Sequence, residues 1–221
     1  MKIGITAPMH WSDKYRVKGN DFIKKMTDSI NKSVKYDHTV YVVDNGSQYK
    51  SDIHTYPNVH YTWIEDQSIG GITHAYNVGI YQAYKDNCDV IIVTSDDVEF
   101  NHTANKFVEF ISRDSESLDC IYGPLTNGVL SEEQKSNGPM IGTKEITVLN
   151  GFTFAFTRQH YEKYRATKYT YLNEQTINKW HGQENQFIEN RKRGAKCKVL
   201  NFCWLMHDKQ RGWKKCLSEI K

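Results

Sequence analysis

Two carboxylates stand side by side at Asp96 and Asp97, directly after Val90–Thr94, a run that is apolar or β-branched throughout. Such a run reads as a buried strand. Adjacent carboxylates at its end repel one another unless a cation or hydrogen bonds relieve them. A divalent ion with oxygen ligands does this well and can bridge to a diphosphate. The plainer reading is a solvated Asp-Asp turn. Asp44 closes a second such run, "HTVYVVDNGS", where it can accept hydrogen bonds from a ribose or a base edge, or serve as the turn residue before Asn45-Gly46. Gly70-Gly71 opens a helical pattern. Glycine there lets the backbone approach a ligand closely, and the helix N-terminus that follows attracts anions. His207 emerges from the apolar run "CKVLNFCWLMHDK"; taken alone it is an ordinary histidine at the edge of a core.

The elements that must position these groups alternate along the chain. Lys2–Thr6 reads as a short strand running into a loop at Ala7-Pro8. Asn20–Val34 sets Phe22, Ile23, Met26, Ile30 and Val34 at helical spacing, with Asn20 or Asp21 as its cap. A second strand stops at Asp44-Asn45-Gly46, and "VHYTWIED" is a third. In "ITHAYNVGIYQAYKD", Ile72, Ala75, Val78, Gly79, Ala83 and Tyr84 fall on one helical stripe. Val90–Thr94 is the fourth strand, Asn105–Ile111 a helix and Cys120–Gly123 a short strand. This order predicts an α/β fold whose mainly parallel sheet carries helices on both faces.

The second half is less regular. Glu132–Gly142 is polar and reads as a mobile loop, and "ITVLNGFTFAFTRQHYEKY" as strand, turn, strand, helix. Thr170–Lys179 is ambiguous, "HGQENQFIENRKRGAK" carries a helix ending near Gly194, and a last strand delivers His207. With no internal repeat and no linker, the expectation is one domain: residues 1–100 as a nucleotide-binding half, 101–208 as an acceptor and catalytic half, 209–221 as a mobile tail. Ligands of open parallel sheets bind beyond the carboxyl ends of the strands. Thr6-Ala7-Pro8, Asp44-Asn45 and Ser95-Asp96-Asp97 should therefore converge on one crevice.

Composition narrows the classes. The chain has 221 residues, 38% hydrophobic and 25% charged, as expected of a soluble globular protein with a substantial core. A net charge of +3 is too mild for a dedicated nucleic-acid-binding protein. No stretch approaches the ~20 apolar residues of a membrane span, and "MKIGITAPMH" has too short an apolar run for a signal peptide. The five cysteines, Cys88, Cys120, Cys197, Cys203 and Cys216, form no CxxC pair and read as reduced thiols in a cytoplasmic protein. The sequon Asn101-His102-Thr103 reads as chance. The basic runs Arg191–Lys198 and Lys209–Lys215 could face a membrane surface or a nucleic acid; the plainer reading is a solvated helix face and a tail.

Taken in order, these stretches resemble the nucleotide-sugar-dependent glycosyltransferases of the GT-A fold, above all the broad family two and its relatives, over roughly Lys2 to Asp208. "YVVDNGS" is similar to the second-strand motif whose Asp contacts uridine or its ribose. "GGITHAYNVGIYQA" resembles the segment before the metal motif, with Asn77 and Gly79 in the family's places. "VTSDDV" sits where these enzymes carry their DxD motif, and "NGFTFAFTRQHYEKY" is similar to the piece lining the donor-sugar and acceptor side. "HGQENQFIENRKRGAK" resembles the segment with the catalytic carboxylate, and "WLMHDK" the late strand whose His completes the metal site.

The resemblance implies a GT-A transferase that moves a sugar from a nucleotide diphosphate donor, expected to be a UDP-sugar, to a hydroxyl acceptor, with Mn²⁺ or Mg²⁺ as cofactor. It implies donor contacts at Thr6, Ala7, Pro8, Asp44, Asn45, Gly71, Asn77, Ser95 and Asp96. Asp97 and His207 become the metal ligands, Glu184 the catalytic carboxylate, and Phe152, Trp180 and His181 the acceptor flank. A segment with Arg211, Trp213 and Lys214 would close over the diphosphate.

Two departures stand out. The DxD reads Ser95-Asp96-Asp97, so its first Asp is a Ser; the bet for the metal falls on Asp97, with Asp96 supporting it or contacting the ribose. Inverting relatives show Glu-Asp in the catalytic segment, and this chain has Glu184-Asn185. Asn cannot act as a general base. Glu184 is then the base, or "GQEN" follows the Gly-Glu-Asn pattern of retaining N-acetylgalactosaminyltransferases, and the stereochemistry stays open. A sugar nucleotidyltransferase would need a Gly-rich, basic loop after the first strand, which "TAPMHWSDKYR" lacks. A metal nuclease would need a further carboxylate cluster. The non-enzyme alternative is a nucleotide-sugar or carbohydrate-binding module of the same fold. As acceptor, a glycan, a lipid-linked sugar, a protein and a modified DNA base are all left open.

Overall fold

The strands are apolar on both faces because helices cover both sides of the sheet. In the computed structural model, which describes residues 1–10, 16–65, 71–129, 131–174 and 182–207, the first half runs β1 (Lys2–Met9), α1 (Arg16–Ser33), β2 (Asp37–Asn45), β3 (Val59–Ile64), α2 (Gly71–Lys85) and β4 (Val90–Thr94). The second half runs β5 (Val98–Glu99), α3 (Thr103–Arg113), β6 (Cys120–Thr126), β7 (Thr143–Ile146), β8 (Thr153–Thr157), α4 (Arg158–Tyr164), α5 (Gly182–Lys192) and β9 (Lys196–His207).

One nine-stranded sheet runs through both halves in the order β3-β2-β1-β4-β8-β6-β9-β5, with β7 paired to β9. The pairs β3·β2, β2·β1 and β1·β4 are parallel. The second half mixes one parallel pair, β6·β9, with antiparallel pairs at β4·β8, β6·β8, β5·β9 and β7·β9.

Strand alternation divides the core in two. Ile3, Ile5, Val40, Val42 and Ile92 point to one face, where Ile23, Met26 and Ile30 of α1 and Phe107, Val108 and Ile111 of α3 cover them. Tyr41, Ile91, Val93, Phe154 and Phe156 point to the other, under Ile80 and Ala83 of α2, Tyr161 and Tyr164 of α4 and Phe187 of α5. That is the two-residue period of a strand buried on both sides. No described helix is long and apolar enough to cross a membrane.

Several boundaries differ from the sequence reading. β1 does not stop at Thr6; Ala7, Pro8 and Met9 continue it, paired with Val42, Val43 and Asp44 of β2. β4 pairs with β1 only as far as Thr6↔Val93, so beyond that point β1 has a single neighbour. A proline, which lacks an N–H, is tolerated on such a one-sided stretch. α1 begins before Asn20 and Asp21, so neither caps it; the Asn20 amide instead donates to Asp52 and accepts from Ser51. Ile72 is 44% exposed rather than part of the buried stripe of α2.

The segment read as a mobile loop is pinned at its centre: Thr126 donates to the Gln134 carbonyl, and Ser136 donates to the Thr126 carbonyl. The Gln134 side chain is fully buried and bonds Pro124 and Asn150. The strand expected from Ile146 onward lies earlier, as β7. The Asn101 side chain donates to the Trp204 carbonyl and accepts from Thr103, which commits the amide of the sequon.

Candidate active site

β4 ends fully buried, and its ladder with β8 is prolonged by one bond, from Ser95 N–H to the Phe152 carbonyl at 2.8 Å. The chain then turns through Asp96 and Asp97 into β5, where Val98 pairs with His207 at the end of β9. That register brings Asp97 to His207. Asp97 Oδ1 lies 3.4 Å from His207 Nε2 and accepts a 2.6 Å hydrogen bond from the Ser95 hydroxyl. Asp96 and Asp97 are 7% and 8% exposed, so the Asp-Asp pair is no solvated turn.

His207 is held on three sides. Its N–H donates to Asn127 Oδ1 at 2.9 Å, and its ring stands edge-on to Phe152 at 5.5 Å. A Cβ at Gly128 would sit 2.2 Å from Nδ1, so only glycine leaves room for the imidazole there.

Glu184 lies in the first turn of α5, half-buried, and its Oε1 accepts from the Gly151 N–H at 3.1 Å. A Cβ at Gly151 would meet Gln183 at 2.9 Å, so glycine allows α5 to dock this closely. Tyr76 of α2 joins these groups. It is 2% exposed, and its phenol is pushed well up, first by burial and then by the charges of Asp96, Asp97 and Glu184. The sequence reading missed Tyr76, Gly151, Asn127 and Gly128. For Tyr76 the signal was only an aromatic residue beside Asn77 in the segment before the metal motif.

The donor set fits a divalent ion. A buried carboxylate and an imidazole face one another with a second carboxylate adjacent, a mixture of oxygen and nitrogen ligands suited to Mn²⁺ and, through its oxygens, Mg²⁺. Among the described residues, a tighter acidic cluster lies elsewhere, at Asp114, Glu116 and Cys120. It needs no cation. Lys198 reaches Asp114 at 2.8 Å and Glu116 at 2.7 Å, and Lys196 pairs with Glu116 as well.

The other sequence candidates divide. Asp44 is fully buried at the end of β2; its oxygens accept from Ser47 N–H and the Tyr61 hydroxyl, both at 2.8 Å. Burial raises its pKa, and these bonds oppose the rise. The Asn45 carbonyl accepts from His10 Nδ1 at 3.0 Å, and Trp63, under Lys50, donates to the Ser47 carbonyl. Gly71 opens α2 with φ +56° and open space where a Cβ would be.

Thr6 and Ala7 are fully buried within β1, and Thr6 packs where a Cβ on Gly79 would lie. The residue past the strand end on this side is His10. Asn77 commits its amide to the following chain: Nδ2 donates to Leu172 O and Glu174 Oε1, and Oδ1 accepts from the Tyr171 and Leu172 N–H groups. These bonds tie that segment to α2. Trp180, His181, Arg211, Trp213 and Lys214 lie outside the described residues.

Solved structures carry the same architecture. The chain superposes on S. aureus TarS with a TM-score of 0.64 at 19% identity, over 94% of this chain and 36% of that one. On GalNAc-T7 with UDP, GalNAc and Mn²⁺ the TM-score is 0.71 at 15% identity, over 94% and 43%. The fold is GT-A. A third match is S. aureus TarS 1-349 in complex with UDP-GlcNAc, with a TM-score of 0.60 at 17% identity, over 94% of this chain and 59% of that one. The chain thus spans between 36% and 59% of the length of these structures. No family model matches it, and no curated protein matches it in sequence.

Within this GT-A chain a buried hydrogen-bond chain sets α5 in place. His160 is fully buried and its pKa is lowered to about 3, chiefly by burial, so the ring is neutral near pH 7. Its Nδ1 donates to the Leu118 carbonyl, so its Nε2 accepts from the Tyr171 hydroxyl at 2.9 Å. The Tyr171 oxygen accepts from Asn190, Asn190 accepts from Gln186, and Gln186 accepts from the Asn173 N–H. Every donor in this series has one acceptor, which fixes α5 and the Tyr171–Glu174 segment as a unit beside α2.

The basic run after Glu189 is largely committed inside the GT-A fold. Arg191 caps the Ile146 and Thr147 carbonyls, Arg193 the Lys163 and Tyr164 carbonyls, and the lysines Lys192, Lys196 and Lys198 pair with acids. Lys192 and Glu189 remain exposed, as the plainer reading of a solvated helix face has it.

Proposed function

We propose that this chain transfers a sugar from a nucleotide diphosphate donor, a UDP-sugar, to a hydroxyl acceptor in a reaction that depends on Mn²⁺ or Mg²⁺. The observation that carries the reading is the meeting of Asp97 with His207 at 3.4 Å at the end of a GT-A sheet. It is supported by the GT-A neighbours, of which one holds UDP and Mn²⁺ and another UDP-GlcNAc.

Asp97 and His207 would hold the ion, with Asp96 supporting them or contacting the ribose. The ion, when bound, neutralises charge on the diphosphate leaving group. Asp44 and Asn45, with His10 and Trp63 beside them, hold the nucleoside. The backbone at Gly71, opening α2, faces the diphosphate, because a helix N-terminus with no Cβ in the way suits an anion. Glu184, fixed by Gly151, takes the proton from the acceptor hydroxyl as it attacks the anomeric carbon. Phe152, whose ring meets His207, flanks the acceptor.

The test is turnover. Purified protein with Mn²⁺ and a panel of nucleotide sugars should release nucleoside diphosphate, with a UDP-sugar fastest, and excess EDTA should remove the activity. Equal turnover with and without EDTA would contradict the metal dependence, and binding of every donor with no turnover would favour a binding module. The anomeric configuration of the product reports whether the displacement is single.

A further inference from the structure

Ser95 stands where the GT-A pattern has the first aspartate of DxD, and its hydroxyl has a definite partner. Oγ donates to Asp97 Oδ1 at 2.6 Å, the same oxygen that faces His207 Nε2 at 3.4 Å. We infer that Ser95 is a positioning residue for Asp97: it fixes the plane of that carboxylate toward a divalent cation instead of contacting the nucleotide. This rests on the reading of Asp97 as a ligand of that ion.

The geometry supports the role from both ends of the bond. On one side, Ser95 hangs from fixed backbone, because its N–H continues the β4·β8 ladder onto the Phe152 carbonyl. On the other, Asp97 is 8% exposed and leads directly into β5, so its backbone is fixed too. A short bond from the Ser95 hydroxyl to the Asp97 carboxylate restricts rotation of that side chain about its last bond.

The residue type matters as well. An aspartate at position 95 would set two acceptor-only groups against each other, with Asp96 as a third charge. Serine removes that charge and supplies a donor. Groups that orient metal ligands typically change metal affinity about 10–100-fold when removed.

The experiment measures Mn²⁺ binding to the full chain in the presence of UDP, from the electron paramagnetic resonance signal of free Mn²⁺. It compares wild type with Ser95→Ala, Ser95→Thr, Asp97→Asn and the double variant Ser95→Ala/Asp97→Asn. Ser95→Ala should weaken Mn²⁺ binding about 10-fold with an unchanged melting temperature. Ser95→Thr, which keeps the hydroxyl, should restore most of the affinity. In the Asp97→Asn background, Ser95→Ala should add little, because the bond it removes acts through Asp97. Unchanged Mn²⁺ affinity in Ser95→Ala, or the same loss in both backgrounds, would overturn the inference. Unchanged affinity in Asp97→Asn would instead overturn the reading of Asp97 as the ligand, and the inference with it.

Discussion

Asp97→Ala should lower sugar turnover by about 10³-fold or more, equivalent to about 4 kcal/mol of transition-state stabilisation. The size follows from what the side chain does. Alanine takes away the carboxylate that meets His207, and with it, in the proposed mechanism, a ligand of the ion that would neutralise the departing diphosphate. The fold should survive. Removing one of two adjacent buried carboxylates relieves repulsion, and the strand register Val98↔His207 does not depend on the side chain. Asp97→Asn is the control for lost packing: it keeps an acceptor for the Ser95 hydroxyl but not the charge. Both variants should melt near the wild-type temperature and both should be nearly inactive. Wild-type rates in Asp97→Ala would remove Asp97 from the mechanism.

Glu184→Gln should lower turnover by about 10²–10⁴-fold, the usual weight of a general base. Glutamine is close in size, and its carbonyl oxygen can still accept from Gly151 N–H, so α5 should keep its place. What it cannot do is take a proton. The decisive comparison is between rate and binding, since affinity for UDP with Mn²⁺ should be unchanged while turnover collapses. If turnover stays near the wild-type rate, Glu184 is not the base; a loss of UDP affinity would assign it to donor binding.

Much of this site is legible in the chain, for physical reasons that differ by element. Val90–Thr94 keeps its predicted bounds because a strand buried on both faces must be apolar throughout and must end where charge begins. The helix from Gly182 to Lys192 ends near Gly194 as read, where φ reaches +97°, a conformation that favours glycine. β1 is harder. Pro8 argues for a loop, and only the early end of β4 makes a one-sided extension to Met9 possible, a fact held in the pairing and not in the local sequence.

Side-chain roles that depend on distant partners are the least legible. Asn77 occupies the expected place in the helix, yet its amide is committed to Leu172 and Glu174 some 95 and 97 residues away. Tyr76 carries no signal of its own in the sequence; only the fold brings its phenol under the charges of Asp96, Asp97 and Glu184. Ser95 reads as a motif gone missing, and only the turn into β5 shows its hydroxyl aimed at Asp97.

The central claim is that Asp97 and His207 together form the cation and diphosphate end of a nucleotide-sugar site. The most direct measurement is a crystal structure of the protein grown with UDP and Mn²⁺, with anomalous differences recorded near the manganese edge. The account predicts one strong peak within about 2–2.6 Å of an Asp97 oxygen and His207 Nε2, the range of divalent-metal bonds, with the diphosphate against it. A peak at the Asp114–Glu116 cluster alone, or UDP bound at the strand ends with no manganese beside Asp97, would contradict it.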